Sequence, residues 1–332
     1  METILVTGAN GEVGHGLLKK LKENKVNLLT LDLNVLDPNL SKCVNTSYKG
    51  SVTDRVLIET IFQKNKIDTI FHLAAILSTS GERNPLLAHQ VNVEGTINLL
   101  DVAFRQKSPV KFIFPSSIAV YGLPSLEIKN KFKKIEENKF LNPITMYGIN
   151  KLYCEHLGVY FSTHIGSLTP DNHRLNIDFR CLRYPGLISA DTIPSGGTSD
   201  YASEMIHFAA QKKLYECFVR PDSQIPFMAM PDAIDAIILL SKSPKKNLTQ
   251  NVYNVSGFSV RASDIENIVK KSFPKAKITY KNNKSRQKII DSWPMDIEDL
   301  GARKDWGWKP KYDFNNTFEK YLIPQIRSKY QI

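Results

Sequence analysis

Strand-length apolar runs alternate with helix-length amphipathic stretches through the first half of this 332-residue chain. That alternation predicts an α/β fold, a doubly wound parallel sheet with helices on both faces. Two further observations shape it. A glycine-rich turn, Thr7-Gly8-Ala9-Asn10-Gly11-Glu12-Val13-Gly14, follows the first apolar run. The length also exceeds the roughly 250–300 residues at which a single core stops growing, so a smaller C-terminal α/β lobe is expected.

Residues 4–7 read as a buried strand, followed by the glycines and a helix over 12–23. A second strand spans 27–31, a helix 56–64 and a strand 69–73. Helical spacing covers 85–105, a strand 110–115, a helix 146–161 and a strand 177–183. Strands spaced by helices make βαβ units, and the right-handed crossover winds them into one sheet. After Pro185 the pattern loosens. Residues 193–199 carry loop chemistry. Helices are expected over 200–212, 231–241, 262–273 (Ser263 or Asp264 near its cap) and 297–305, with a strand at 252–255. The sheet domain is therefore assigned to 1–185, with 228–256 returning to it; 186–227 and 257–332 form the smaller lobe. The Lys-rich stretch 129–139 and the stretch 162–176 are expected to be surface loops.

Composition is that of a globular protein, with 42% hydrophobic and 23% charged residues. The formal net charge of +11 raises the question of an anionic partner. Residues 242–290 hold twelve Lys/Arg against only Asp264 and Glu266, so the excess is local. Aromatic residues are only scattered through that segment, which argues against nucleic acid. Cys43, Cys154, Cys181 and Cys217 lie far apart with no CxxC pair, and His89 and His207 lack ligand-spaced partners, so neither a disulfide framework nor a metal site is expected. His72 follows an apolar strand and reads as a structural histidine. The N-terminus runs straight into a strand and no apolar run approaches 18 residues. A cytoplasmic protein with no membrane partner is the expectation.

Two constellations carry chemistry. In the first turn, glycine permits a tight bend and close approach of the backbone to a pyrophosphate, and the following helix N-terminus offers free N–H groups. Asp32 ends the second strand, 24 residues after Gly8, where a carboxylate accepts bonds from a ribose diol. Leu33 and Asn34 follow with no adjacent arginine for a 2′-phosphate, which favours NAD over NADP. The expected fold is the Rossmann dinucleotide-binding type. In the second, Tyr147 and Lys151 stand four apart on one helix face. A tyrosine, ordinarily near pKa 10, needs nearby positive charge to act as a base at neutral pH. Ser116 and Ser117 follow the strand at 110–115, at the sheet edge where α/β ligands bind.

TGxxGxxG, then Leu73-Ala74-Ala75, Asn92 in Val91-Asn92-Val93-Glu94-Gly95, Ser117, Tyr147 and Lys151 together resemble the extended short-chain dehydrogenase/reductases. The resemblance spans essentially the whole chain. It implies Ser117, Tyr147 and Lys151 as catalytic residues: Ser117 orients the substrate oxygen, Tyr147 is the acid/base, and Lys151 binds the nicotinamide ribose and tunes Tyr147. It implies NAD contacts from Gly8, Asn10, Gly11, Glu12, Val13, Gly14, Asp32, Leu73, Ala74, Ala75, Asn92, Tyr184 and Leu187. Ser51-Val52 departs from the aspartate that many members place there for adenine. A pair of helices over 85–105 and 146–161 resembles a four-helix dimer interface, so a homodimer is expected.

The C-terminal half narrows the resemblance. Ile76-Leu77-Ser78 with Gly81-Glu82, Leu182-Arg183-Tyr184-Pro185-Gly186, Thr198-Ser199-Asp200-Tyr201, Asp291-Ser292-Trp293-Pro294 and Trp306-Gly307-Trp308 are similar to the short-chain type of L-threonine 3-dehydrogenase. That type implies Ser78, Thr198 and Ser199 as groups holding an amino acid and Trp293 as a residue closing the site. Ser78, Thr198 and Ser199 also read as helix or turn caps, and Trp293 as core. The implied function is NAD-dependent oxidation of the L-threonine β-hydroxyl to 2-amino-3-oxobutyrate. A nucleotide-sugar 4-epimerase is the alternative, and a non-catalytic dinucleotide-sensing or RNA-binding protein a further one.

Overall fold

A computed structural model describes residues 1–167, 176–192 and 197–331. Its strands are β1 (Thr3–Thr7), β2 (Asn27–Asp32), β3 (Thr46–Lys49), β4 (Thr69–His72), β5 (Val110–Ser117), β6 (Ile177–Tyr184), β7 (Gly186–Ile188), β8 (Leu214–Cys217), β9 (Gln224–Ala229), β10 (Val252–Asn254), β11 (Phe258–Arg261) and β12 (Lys277–Tyr280). Seven of them form one sheet in the order β10-β6-β5-β4-β1-β2-β3. The register is parallel between β1 and β2, β1 and β4, β2 and β3, and β4 and β5. β1 and β4 read as unbroken apolar runs because both faces of such a strand are covered; Leu5, Val6, Ile70 and Phe71 are buried. On either side of β1 the strand order runs in opposite directions, and its C-terminal edge is the switch point where α/β sheets form a crevice.

The described chain divides into two compact units. The first holds Met1–Ser117, Met146–Arg183 and Ile234–Tyr253; the second holds Ile118–Thr145, Tyr184–Ala233 and Asn254–Ile332. Segment 118–145, read from sequence as part of the sheet domain, therefore belongs with the second unit. Its bonds explain why: Tyr121 Oη donates to Asn254 Oδ1 at 2.7 Å, Leu123 N–H donates to the Ser292 carbonyl at 2.8 Å, and Ile135 bridges to Ile297.

In the first unit, the expected helical stretch 85–105 is continuous but contains a π-helical segment, Gln90–Glu94, between Pro85–His89 and Gly95–Arg105. Asp54 caps the helix Arg55–Lys64 by accepting from Leu57 N–H at 3.0 Å. The helix Met146–Val159 seats on β6 through Gly158, where a Cβ would run into the Phe179 ring. β3 escaped the sequence reading because it is mostly exposed and carries no apolar run.

In the second unit, β9 pairs antiparallel with β11 and parallel with β7, and β8 pairs parallel with β12. These strands are three to six residues long, too short to show a period. Trp306 and Trp308 are buried with ring centroids 6.0 Å apart, as core residues. Stretch 129–139 is largely the exposed loop expected, but its start is helical and two of its side chains are buried. Leu126–Lys131 is a helix capped by the Ser125 hydroxyl, and Ile135 is fully buried. Lys129 is only 3% exposed, with its ammonium donating to the Ile290 carbonyl at 2.8 Å. Burial pulls that ammonium down to about 8. Stretch 162–176 begins with the buried Ser162 in the π-helical turn Tyr160–His164; its residues 168–175, and residues 193–196 of the expected loop 193–199, lie outside the described residues. Among the described residues no helix is long and apolar enough to cross a membrane, and no group of His, Cys, Asp and Glu could hold a metal ion.

Candidate active site

Gly8 leaves β1 with φ +67°, a left-handed conformation that favours glycine. A Cβ there would sit 2.6 Å from the Ala74 backbone nitrogen, so the turn approaches Leu73-Ala74 as closely as backbone allows. Gly11 is the N-cap of the helix Glu12–Leu21, and Gly14 packs against the Ala9 carbonyl with no room for a side chain. A cavity of about 660 Å³ opens at this edge, lined in part by Gly8, Asn10, Gly11, Asp32, Leu73, Ala74 and Ala75. Glu12, Val13 and Gly14 lie in the first helical turn and are not part of that lining. Asp32 Oδ2 accepts from Asn10 N–H at 2.9 Å and Oδ1 from Asn34 N–H at 3.0 Å, so its carboxylate is fixed at the end of β2. Ser51 and Val52 also line the cavity, with the Ser51 hydroxyl 2.7 Å from that of Thr53.

Asn92, Tyr184 and Leu187, expected at the cofactor, are not among the residues lining that cavity. Asn92 is buried, and its amide accepts from Ile76 N–H at 2.7 Å and donates to the Ile76 carbonyl at 3.0 Å. It braces the strand-to-helix segment after Ala75. His72 lies between Thr7 Oγ1 (2.7 Å from Nδ1) and Thr96 Oγ1 (2.9 Å from Nε2). Burial drives its pKa down to about 3, so it is a neutral structural group. In the second unit, Tyr184 Oη donates to the Ala233 carbonyl at 2.6 Å, and Leu187 sits half-buried in β7.

β5 ends at Ser117, and the helix Met146–Val159 brings Tyr147 to it. A hydrogen bond joins the two hydroxyls. Burial pushes the Tyr147 phenol up to about 12, while the Ser117 bond works against that rise. One turn along, the Lys151 ammonium donates to the Pro115 carbonyl at 2.7 Å and lies 4.4 Å from the Phe114 ring centroid and 5.7 Å from that of Tyr147. Burial lowers Lys151 to about 8. The three residues are thus assembled, and burial penalises the charged forms of Tyr147 and Lys151.

Two residues to which the sequence assigned no role, Glu155 and Glu82, hold this helix in place. Glu155, one further turn on, forms a bidentate ion pair with Arg183 of β6, Nε to Oε1 at 2.9 Å and Nη2 to Oε2 at 2.6 Å, with both side chains 3% exposed. The pair is completely desolvated, and Glu155 raises the affinity of Lys151 for its proton. Glu82 Oε1 accepts from Met146 N–H at 2.7 Å, which ties the helix Ser78–Arg83, and with it Ser78, to the first residue of the helix Met146–Val159. The spacing 147, 151, 155 was visible in the sequence; the partners were not.

The remaining expected groups lie in the second unit. Thr198 is buried and Ser199 half-buried. Their turn is held by Gly197, whose N–H donates to Asp200 Oδ2 at 2.6 Å and whose carbonyl accepts from Arg286 Nη2 at 2.6 Å. Trp293 is 5% exposed and forms the C-cap of the helix Lys284–Ser292.

Residues 4–256 match the NAD dependent epimerase/dehydratase family. The chain belongs to that family. One relative is the mitochondrial L-threonine 3-dehydrogenase of Bos taurus, 34% identical over 94% of this chain and 79% of that protein. Another is an uncharacterized epimerase/dehydratase of Staphylococcus haemolyticus, 36% identical over 100% of this chain and 99% of that one. Among solved structures, a monomeric L-threonine 3-dehydrogenase from a metagenome shares 38% identity with a TM-score of 0.86, over 98% of this chain and 99% of that chain. With dehydrogenase relatives and NAD as the family cofactor, the chain is an NAD-dependent oxidoreductase. Its residues fit that cofactor: the side-chain-free turn at Gly8 and the fixed Asp32 carboxylate are the features a pyrophosphate and a ribose diol require.

Removing one member of a buried ion pair leaves the other charge unpaired. Glu155→Ala is expected to cost about 3–5 kcal/mol of stability, whereas Glu155→Leu with Arg183→Met together cost far less. Denaturant midpoints of the two proteins measure the difference.

Proposed function

We propose that the protein oxidises the β-hydroxyl of L-threonine with NAD⁺ to give 2-amino-3-oxobutyrate. The observation that carries this reading is the hydrogen bond between Tyr147 and Ser117, with the buried Lys151 ammonium 5.7 Å from the Tyr147 ring centroid. Such a set moves a proton to or from an alcohol oxygen: Ser117 orients the oxygen and Tyr147, as phenolate, takes its proton. Lys151 holds the positive charge that makes a phenolate accessible in a site where burial alone disfavours it. NAD bound at the Gly8 turn supplies the hydride acceptor. Gly8, Asn10, Gly11, Asp32, Leu73, Ala74 and Ala75 form its wall in this reading, with Glu12, Val13 and Gly14 in the adjoining helix start and Asn92 as a brace. Tyr184 and Leu187 are carried as cofactor contacts on the resemblance.

L-Threonine as substrate is supported by dehydrogenase relatives that match nearly the full chain, not just the dinucleotide half. Ser78, Thr198 and Ser199 are the hydroxyls proposed to hold the amino acid, and Trp293 the residue that closes over it. A homodimer belongs to the same reading. Its support is the row of exposed apolar side chains on the expected helix pair, with Leu86 78%, Ile149 49%, Tyr153 51% and Tyr160 47% exposed.

NADH formation with L-threonine is the expected outcome of a direct absorbance assay; no NADH from L-threonine, with UDP-galactose converted to UDP-glucose instead, contradicts the reading. Tyr147→Phe should lower turnover by roughly 10²–10⁴-fold while sparing NAD affinity, the range that general acid–base catalysis contributes. Light scattering in solution should give twice the monomer mass; a monomer would remove the assembly from the proposal.

A further inference from the structure

The helix Lys284–Ser292 frames the second unit's two groups proposed to meet the amino acid, Thr198-Ser199 and Trp293. Near its start, Arg286 donates to the Gly197 carbonyl beside Thr198. At its end stands Trp293, whose N–H bonds the Ile290 carbonyl at 3.3 Å. The residues leading to Trp293 are fixed one by one. The Asp291 carboxylate accepts from Arg220 Nη1 and Nη2, both at 2.9 Å, and from Gln287 Nε2 at 2.8 Å. The Ser292 carbonyl accepts from Leu123 N–H at 2.8 Å. The Ile290 carbonyl accepts from the Lys129 ammonium at 2.8 Å.

Lys129 is the unexpected member. A lysine 3% exposed gives up most of its hydration, and simple packing would be served as well by an apolar side chain of the same length. What an ammonium adds is a directional hold on a carbonyl in the last helical turn, where the orphan carbonyls and the helix dipole both favour a cation. We propose that Lys129 is a positioning residue for substrate binding: by gripping the Ile290 carbonyl it sets the orientation of Trp293. The proposal rests on the reading that Trp293 closes over the amino acid. It assigns a role to a side chain carried by none of the motifs associated with the site.

A double-mutant cycle tests it, with saturating NAD⁺ and variable L-threonine, on Lys129→Met, Trp293→Phe and the double variant. If Lys129 acts through Trp293, Lys129→Met raises KM for L-threonine about tenfold and changes kcat less than about threefold. The double variant then shows no more loss than Trp293→Phe alone, because the two changes remove one function. NAD affinity of each variant reports folding of the protein and should match the wild type. If Trp293→Phe raises KM and Lys129→Met does not, or if the two effects simply multiply, the role of Lys129 is overturned and that of Trp293 stands. If Trp293→Phe leaves KM unchanged, the underlying reading of Trp293 fails and takes the proposal with it. Asp291→Asn weakens the Arg220 clasp at the same helix end without altering side-chain size. Should Lys129→Met not fold, a KM-selective rise in Asp291→Asn that vanishes in the Trp293→Phe background supports the positioning role, and an additive loss overturns it.

Discussion

The bond from the Lys151 ammonium to the Pro115 carbonyl is the constraint around which the proposed catalytic residues are organised. It ties the helix Met146–Val159 to the end of β5, one residue before the serine pair. A buried ammonium needs such a partner, since desolvation alone favours the neutral amine. With Lys151 fixed there, the residue four positions earlier on the same helix face is Tyr147, and its hydroxyl meets Ser117. The triad is therefore a product of helix geometry plus one hydrogen bond to the sheet.

Supporting contacts make that seat unambiguous. Gly158 lets the helix lie against the Phe179 ring of β6, and the Glu155–Arg183 pair clamps the same helix to the same strand. The cost of burying that pair is offset by geometry, because a displaced helix would leave two charges unpaired in the core. Glu82 holds the other end at Met146 N–H. Burial penalises the phenolate and the ammonium together.

Much of this was legible in the amino-acid sequence, for physical reasons. A turn that must be glycine, a carboxylate ending the next strand, and a tyrosine–lysine pair at helical spacing are local patterns, and Gly8, Asp32, Tyr147 and Lys151 stand together in one unit as such patterns require. What was not legible depends on distant partners. Glu155 at helical spacing reads like any solvated helix face until Arg183 is seen opposite it. Lys129 sits in a lysine-rich stretch whose composition suggests solvent, yet its aliphatic stem is buried and its head satisfied by a carbonyl 161 residues away. Asn92 reads as a cofactor contact, while its amide is occupied by Ile76. The excess positive charge of 242–290 falls partly on groups with their own acidic partners, such as Lys270 with Glu266 and Lys271 with Glu319, and none of it lines the dinucleotide cavity.

In the proposed mechanism the Lys151 ammonium makes the Tyr147 phenolate accessible. The most direct measurement is the pH dependence of kcat/KM for NAD⁺-dependent oxidation of L-threonine by the wild type and by Lys151→Met. Loss of a neighbouring cation raises the pKa of a phenol, so the acidic limb of the profile should move to higher pH in the variant, by about one unit or more. An acidic limb at the same pH in both proteins would contradict the account.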